Sequence, residues 1–358
     1  MAMTATVMSI SPANATPTGV LAQGQSFQAS AGVLTSAAAL GRRKTTLTVK
    51  ASASKVVVLQ PATISGKVNG PNKRRVVLQL KNAYGWGNVD KDKTNTSGKY
   101  KLEVPTKWYG KKKMRVVVPP TRRFQGKIKT VAVKVTEGYV PLGKNKAWTR
   151  ISPGNKTRYN PCQTIKFVVN PNTLPADGIA VLTEAVFRIE LATGLRYKYS
   201  GATKAIPFRT TPGKKEDKKA NLAVAWSTPE TDAANLAGGV VARGGFSKYQ
   251  RTNRKNTFAL TKTGLLMDAG FVYADRGFVN GAGMGAVHMH ELVHAAGMGH
   301  SKDTLQIMYP YIDATRPALF GAGDITGLKQ HGQDAGCLSR GNARVVPGAV
   351  DLTPVSLP

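Results

Sequence analysis

His290-Glu291-Leu292-Val293-His294-Ala295-Ala296-Gly297-Met298-Gly299-His300 is the stretch that decides the reading of this 358-residue chain. Two histidines four apart on a helix share one face and are separated by about 6 Å along its axis, so their imidazoles can converge on one ion. Gly297 supplies a residue that tolerates positive φ, which lets the helix stop and turn sharply enough to return His300 to the same point as a third nitrogen donor. Glu291, beside the first ligand, is placed to take the proton of an attacking water and hand it to a leaving amine, the general base and acid of metal-assisted amide hydrolysis. Five fixed positions tried along a chain of this length match by chance roughly once in ten thousand. A single histidine on an apolar helix face is usually a packing residue, but three at these offsets with the glutamate and glycine have no comparable structural explanation. One catalytic zinc held by His290, His294 and His300 is therefore expected.

Downstream, Leu305-Gln306-Ile307-Met308-Tyr309-Pro310 follows the third histidine closely, and Gly323-Asp324-Ile325-Thr326-Gly327-Leu328 follows in turn. With the histidine stretch these runs resemble the metzincin clan of zinc peptidases. Ser301 directly after His300, and the Met-Tyr-Pro wording, resemble its matrixin branch. Tyr159-Asn160-Pro161-Cys162 is similar to the opening of bacterial matrixin-like catalytic domains, so the resemblance covers about residues 157–338. It implies a zinc-dependent endopeptidase with Met308 as the methionine of the turn beneath the metal, and a substrate pocket near Tyr309, Pro310 and Tyr311. Two departures limit what carries over. The usual tyrosine two residues after the turn proline is replaced by Ile312, with Tyr311 following Pro310 directly. A structural zinc held by further histidines is not expected, because only His288 and His331 remain outside the motif. Structural calcium leaves no readable spacing outside an EF-hand pattern, so the sequence neither calls for it nor rules it out. His288 is read as a surface residue or a support for the ligands, not as a ligand.

Cys162 and Cys337, the chain's two cysteines, fall at the two ends of this region. A disulfide between them would close the domain and point to an oxidising, secreted location. An inhibitory thiolate at Cys162 is the lesser alternative, since the cysteine lies inside the catalytic region. No run approaches the ~20 apolar residues of a membrane span. Residues 1–54 read as a signal-like, Ala/Ser/Thr-rich disordered leader, with Ala13-Asn14-Ala15 as an A-x-A cleavage pattern that lacks a positive n-region.

Residues 55–136 alternate short β-rich runs with turn signals such as Asn69-Gly70-Pro71 and Ser97-Gly98. They predict a small all-β sandwich, and they resemble the immunoglobulin-like modules appended to bacterial secreted enzymes. Trp86 is read as core or edge packing. The chain carries a formal charge of +32, and its front half is the basic part: residues 1–150 hold 27 Lys and Arg against 4 Asp and Glu, residues 151–358 hold 24 against 15. A solvated face is the default for such clusters, and an anionic cell-wall polymer is the partner they would suit. No DNA-reading motif or aromatic interleaving is present, so specific nucleic-acid binding is not expected.

The fold class expected is α+β: a zincin-like catalytic domain at residues 157–338, a twisted mixed sheet with its active-site helix, reached through a linker at 137–156 and followed by a tail at 339–358. Within it, residues 164–169 predict a strand and residues 178–192 a helix capped by Asp177, with a stripe of Ile179, Leu182, Val186 and Ile189. Strands are expected near 195–200, 221–226, 239–243 and 270–275, and the zinc helix at 285–296. The strand at 270–275 is expected to be the sheet edge along which a peptide substrate lies. The leading functional expectation is a secreted zinc endopeptidase acting on protein or peptide. The competing ones are a zinc-binding pseudoenzyme or cell-envelope adhesin, against which the retained Glu291 argues, and a nucleic-acid-binding protein, suggested by charge alone.

Overall fold

The computed structural model describes residues 41–347 and 353–356; the signal-like run at 2–15 lies outside them. In the first part the elements are all strands: β1 (Lys50–Ala51), β2 (Lys55–Val57), β3 (Thr63–Lys67), β4 (Arg75–Asn82), β5 (Gly85–Lys93), β6 (Lys99–Glu103), β7 (Gly110–Val118) and β8 (Lys127–Thr136). They form a three-stranded sheet, β1-β3-β6, and a five-stranded sheet, β2-β8-β7-β4-β5. The period of two expected of half-buried strands is plain in β7, where Lys112, Met114, Val116 and Val118 are buried and Lys111 and Lys113 are exposed. Ile64, Leu78, Leu102, Met114 and Val116 meet in one core. Leu47 is buried in that core and β1 pairs with β3, so residues 43–54 belong with the strands and not with the expected leader.

The second part contains β9 (Thr149–Arg150), β10 (Lys156–Arg158), β11 (Thr164–Val169), α1 (Gly178–Thr193), β12 (Arg196–Ala202), β13 (Leu222–Ser227), α2 (Ala233–Leu236), β14 (Val240–Thr252), β15 (Thr257–Asp268), α3 (Met284–Ala295), β16 (Met298–Gly299), α4 (Ala322–His331), a 3₁₀ turn (Gln333–Ala335), β17 (Arg340–Pro347) and β18 (Thr353–Ser356). The main sheet runs β12-β11-β13-β15-β14-β17. Its strands are parallel as far as β15, and β14 is antiparallel to β15. The chain is thus a mixed α+β protein with few helices. No described helix is long and apolar enough to cross a membrane.

Helix α1 buries Leu182, Ala185, Val186 and Ile189 in the core it shares with α3 and the sheet, but Ile179 is 38% exposed and stands off the expected stripe. Asp177 makes no side-chain cap; its carboxylate is taken by Arg276 instead. Helix α3 is buried on every side, as a helix sandwiched between a sheet and further elements must be. The expected edge strand at 270–275 is a loop, shaped by Asp268 accepting from the Gly270 N–H and Asp275 from the Gly277 N–H. Such local carboxylate turns compete with a ladder. The antiparallel strand next to α3 is β14. The linker contributes β9, which pairs with β16, and the tail contributes β17 and β18, both paired with β14.

Candidate metal centre

Helix α3 carries His288, His290, Glu291 and His294, all buried. His290 and His294 project from the same face, and after them the chain passes Gly297 at φ +108°, a conformation that side chains rarely adopt. A Cβ there would also lie 2.0 Å from the Thr157 carbonyl oxygen. The turn so made delivers β16 and then His300 to the histidine pair. The Nε2 atoms of His290 and His294 stand 3.0 Å apart, and that of His300 lies 3.1 Å from His290 Nε2.

The back sides of the rings fix what those atoms are. His290 Nδ1 is 2.7 Å from the Ile307 carbonyl oxygen and His294 Nδ1 is 2.8 Å from that of Met298. A carbonyl can only accept, so each Nδ1 carries the hydrogen, and the Nε2 of a neutral ring is left with a bare lone pair. Neutrality is enforced by burial, which lowers His294 to about 3 and His300 to about 4, and holds His290 well below the ordinary histidine range. Lone pairs aimed at one point repel each other unless a cation sits between them. Tetrahedral zinc at about 2.0–2.1 Å from each nitrogen would hold its ligand atoms roughly 3.3–3.4 Å apart, close to the spacing found. Among the described residues His290, His294 and His300 are a group of three whose ligand atoms all lie within 4.8 Å of one another, and their donor set fits zinc.

The segment beneath the histidines is held from two directions. Ser301 donates its N–H to the Met308 carbonyl at 2.7 Å, tying the residue after the third histidine to the turn. Met308 is fully buried. The Asp324 carboxylate, at the start of α4, accepts from the N–H groups of Ile307 at 2.6 Å, Gly321 at 2.9 Å and Met308 at 3.3 Å. Gln306 Oε1 accepts the Asp324 N–H, and Arg316 donates to the Gln306 carbonyl. The sequence marks the run containing Asp324 only as part of the family resemblance and leaves this supporting role unread. An acidic residue three positions into a helix that follows the turn was the available signal.

Glu291 faces β14. Gly244 lies so close that a Cβ there would come within 2.3 Å of the Glu291 carbonyl oxygen and 2.7 Å of its Oε2. Burial lowers the Arg243 guanidinium, with the Glu291 charge acting against that, and burial raises the Tyr273 hydroxyl, with Asp268 and Glu291 adding to it. Tyr309 and Tyr311 form an edge-on ring pair at 5.7 Å just past Met308, flanking Pro310, with Tyr311 largely exposed. His288 is no surface residue: it is fully buried, its ring 5.7 Å from Trp226 and its Nδ1 bonded to the Met284 carbonyl. His331 is likewise a core residue, edge-on to Trp148. Cys162 and Cys337 form a disulfide, with Cα atoms 5.4 Å apart and 175 positions between them in sequence.

Comparison with known proteins bears on this geometry. No curated protein matches the chain. Among solved structures, the chain is similar to the C-terminal 282-residue fragment of intimin in complex with the translocated intimin receptor's intimin-binding domain, at 15% identity over 32% of this chain and 43% of that one, TM-score 0.21. It is also similar to Cwp6 from Clostridium difficile, at 11% identity over 52% and 34%, TM-score 0.18. A third is Ruminococcus gnavus beta-glucuronidase in complex with uronic isofagomine, at 10% identity over 51% and 28%, TM-score 0.17. The chain spans less than half the length of each of these. The matrixin family model of peptidases matches residues 206–331, from ahead of β13 to the end of α4. That match and the three-histidine cluster lying inside it support a matrixin-like metallopeptidase.

Proposed function

We propose that this chain is a secreted zinc-dependent endopeptidase in which His290, His294 and His300 hold the metal and Glu291 moves the proton. The observation that carries the reading is the convergence of three neutral Nε2 donors, two of them oriented by Nδ1–H bonds to backbone carbonyls. When bound, zinc supplies Lewis-acid polarisation of the scissile carbonyl and acidifies water. The chain's own residues supply the rest. Glu291, packed against the backbone of β14, takes the proton of the attacking water and returns it to the leaving nitrogen. Met308, Asp324 and Gln306 fix the floor on which His290 rests, so the ligand cannot rotate away. Tyr309, Pro310 and Tyr311 flank the site as the substrate pocket wall. The disulfide accords with an oxidising compartment outside the cytoplasm.

The test is zinc content and casein hydrolysis of the purified chain beside Glu291→Ala, with a chelator control. The reading expects about one zinc in both proteins, and cleavage by the wild type alone that the chelator abolishes, with a loss of at least about 100-fold in the variant. Zinc in both with cleavage in neither would favour the pseudoenzyme or adhesin.

A second reading concerns the strands in front, proposed as an immunoglobulin-like module that binds an anionic cell-wall polymer. Exposed Arg75 stands directly opposite Lys93, and Lys111 opposite Lys134, in the five-stranded sheet. Like charges placed opposite one another cost stability, and an anionic partner would relieve that cost. Equal retention on wall polymer of the wild type and of Arg75→Gln/Lys111→Gln would count against it.

A further inference from the structure

Strand β14 has one edge bonded to β15, and along its other edge lies the end of the chain itself. β17 pairs antiparallel with it at Lys248, Tyr249, Gln250 and Thr252. β18 continues along the same edge, with Thr353 opposite Gly244, Pro354 opposite Arg243, Val355 opposite Ala242 and Ser356 opposite Val240. Gly244 is the residue whose backbone touches Glu291, and β18 also packs against α3, the helix that carries His290 and His294. A strand bonded to β14 runs only about 4.8 Å from it. The segment Thr353–Ser356 therefore occupies the strip of sheet edge at Gly244, beside the helix that carries Glu291 and two of the three histidines.

An extended peptide binds a sheet by adding itself as a strand to an open edge, with main-chain hydrogen bonds supplying affinity. From the reading of the chain as a peptidase, and from this register, we infer that the C-terminal segment is an internal occupant of the peptide-binding edge, which a polypeptide substrate must displace. The chain is self-blocked until that segment is released or removed. Its composition suits a displaceable strand. Proline inside a strand is tolerated only where the missing N–H faces away from the ladder; with Pro354 so placed, the alternating N–H groups of Thr353 and Val355 are turned toward β14. A strand this short contributes few bonds and holds its place through its tether, which supplies a local concentration on the order of millimolar. Edge protection alone also covers sheet edges, so a test must separate a cover from a block.

The test compares the full chain with the full-chain variant Thr353→Pro/Val355→Pro, which removes both inward N–H groups, and with a chain ending at Ser339. Hydrogen exchange of the amides at 240–244 is followed by mass spectrometry, and KM and kcat are measured on a casein peptide. An occupant bound nine-tenths of the time lowers apparent affinity about tenfold. The expected result is that the amides exchange about ten times faster in both altered proteins, while KM falls about tenfold and kcat stays within about twofold. A synthetic peptide of residues 340–358 then raises KM of the shortened chain. Unchanged exchange would remove the occupant, and faster exchange with an unmoved KM would make it a mere cover. Should zinc-loaded protein cleave nothing in any form, the peptidase reading falls separately. Competition between the 340–358 peptide and the casein peptide for the shortened chain then decides whether this edge binds peptide, and independent binding of the two would overturn the inference.

Discussion

The five histidines share a property that ties residue chemistry to stability. Burial lowers His294 to about 3 and His288, His300 and His331 to about 4, and it lowers His290 as well. In the unfolded chain each takes a proton near pH 6.5. Between about pH 6.5 and 4 the unfolded state therefore binds more protons than the native state. Stability conferred by the neutral rings is present above 6.5 and is lost as pH falls through that window, at up to about 1.4 kcal/mol per pH unit for each histidine. Zinc-stripped protein should show a steeply falling melting temperature from pH 7 to pH 4.5. His288→Leu, which removes a buried ring with no ligand role, should flatten that dependence by one proton's worth; a slope unchanged in the variant would contradict the assignment. The three-histidine cluster was legible because its spacing is a local code. Asp324 was legible only as an acidic residue at a helix start, because two of its three N–H partners, Ile307 and Met308, lie 17 and 16 positions away, and such pairing leaves no mark on neighbouring residues.

Elements succeed or fail with the residues that end them. Gly297→Ala should cost at least about 1–3 kcal/mol from backbone strain at φ +108°, with the clash against Thr157 added. The turn that returns His300 would shift with it, so zinc affinity should fall at least about tenfold, read by competition with a chelating dye. Retained affinity would mean that the helix end is not what places the third histidine. On β7 the alternation that exposes Lys111 and Lys113 forces Lys112 inward, where its ammonium bonds the Tyr109 carbonyl at 3.0 Å and lies 3.8 Å from the Trp108 ring. Burial lowers it to about 7, although Asp334 pulls the other way. The native chain then gives up this proton near pH 7 while the unfolded chain keeps it to about 10.5, so stability rises with pH across that interval. Urea midpoints at pH 7 and pH 9 should show the rise in the wild type and not in Lys112→Met. Sequence periodicity foresaw most of these strands and both long helices. It missed β5, β15 and β17 among the longer strands and misassigned 270–275, since a run of mixed apolar residues reads as strand until the Asp268 and Asp275 turns are seen.

At the scale of the whole molecule, the two parts are joined by polar contacts. Tyr109 donates its N–H to the Leu191 carbonyl, Ala83 to that of Asp334, and Trp108 Nε1 to the Asp334 side chain. Arg158 reaches Tyr84 from one part to the other and also binds the carbonyls of Ala335 and Gly336, next to Cys337. The disulfide thus anchors the segment that carries these contacts. The pairing of the two cysteines was readable from sequence, but its second duty, holding residues 334–337 where the strand-only part docks, was not, because nothing in the spacing of two cysteines reveals what packs beside them. Closing a loop of 175 positions restricts the unfolded chain by about 5 kcal/mol on the loop-entropy account. Reduction, or Cys162→Ser/Cys337→Ser, should lower the unfolding free energy extrapolated from urea titration by an amount of that order. It should also quicken hydrogen exchange at 81–84 and 107–110 before α3 opens, because the docking contacts sit on the released segment while α3 is buried on all sides. A reduced protein that loses protection first in α3 would show instead that the disulfide supports the core around α3 directly and the docking surface only through it.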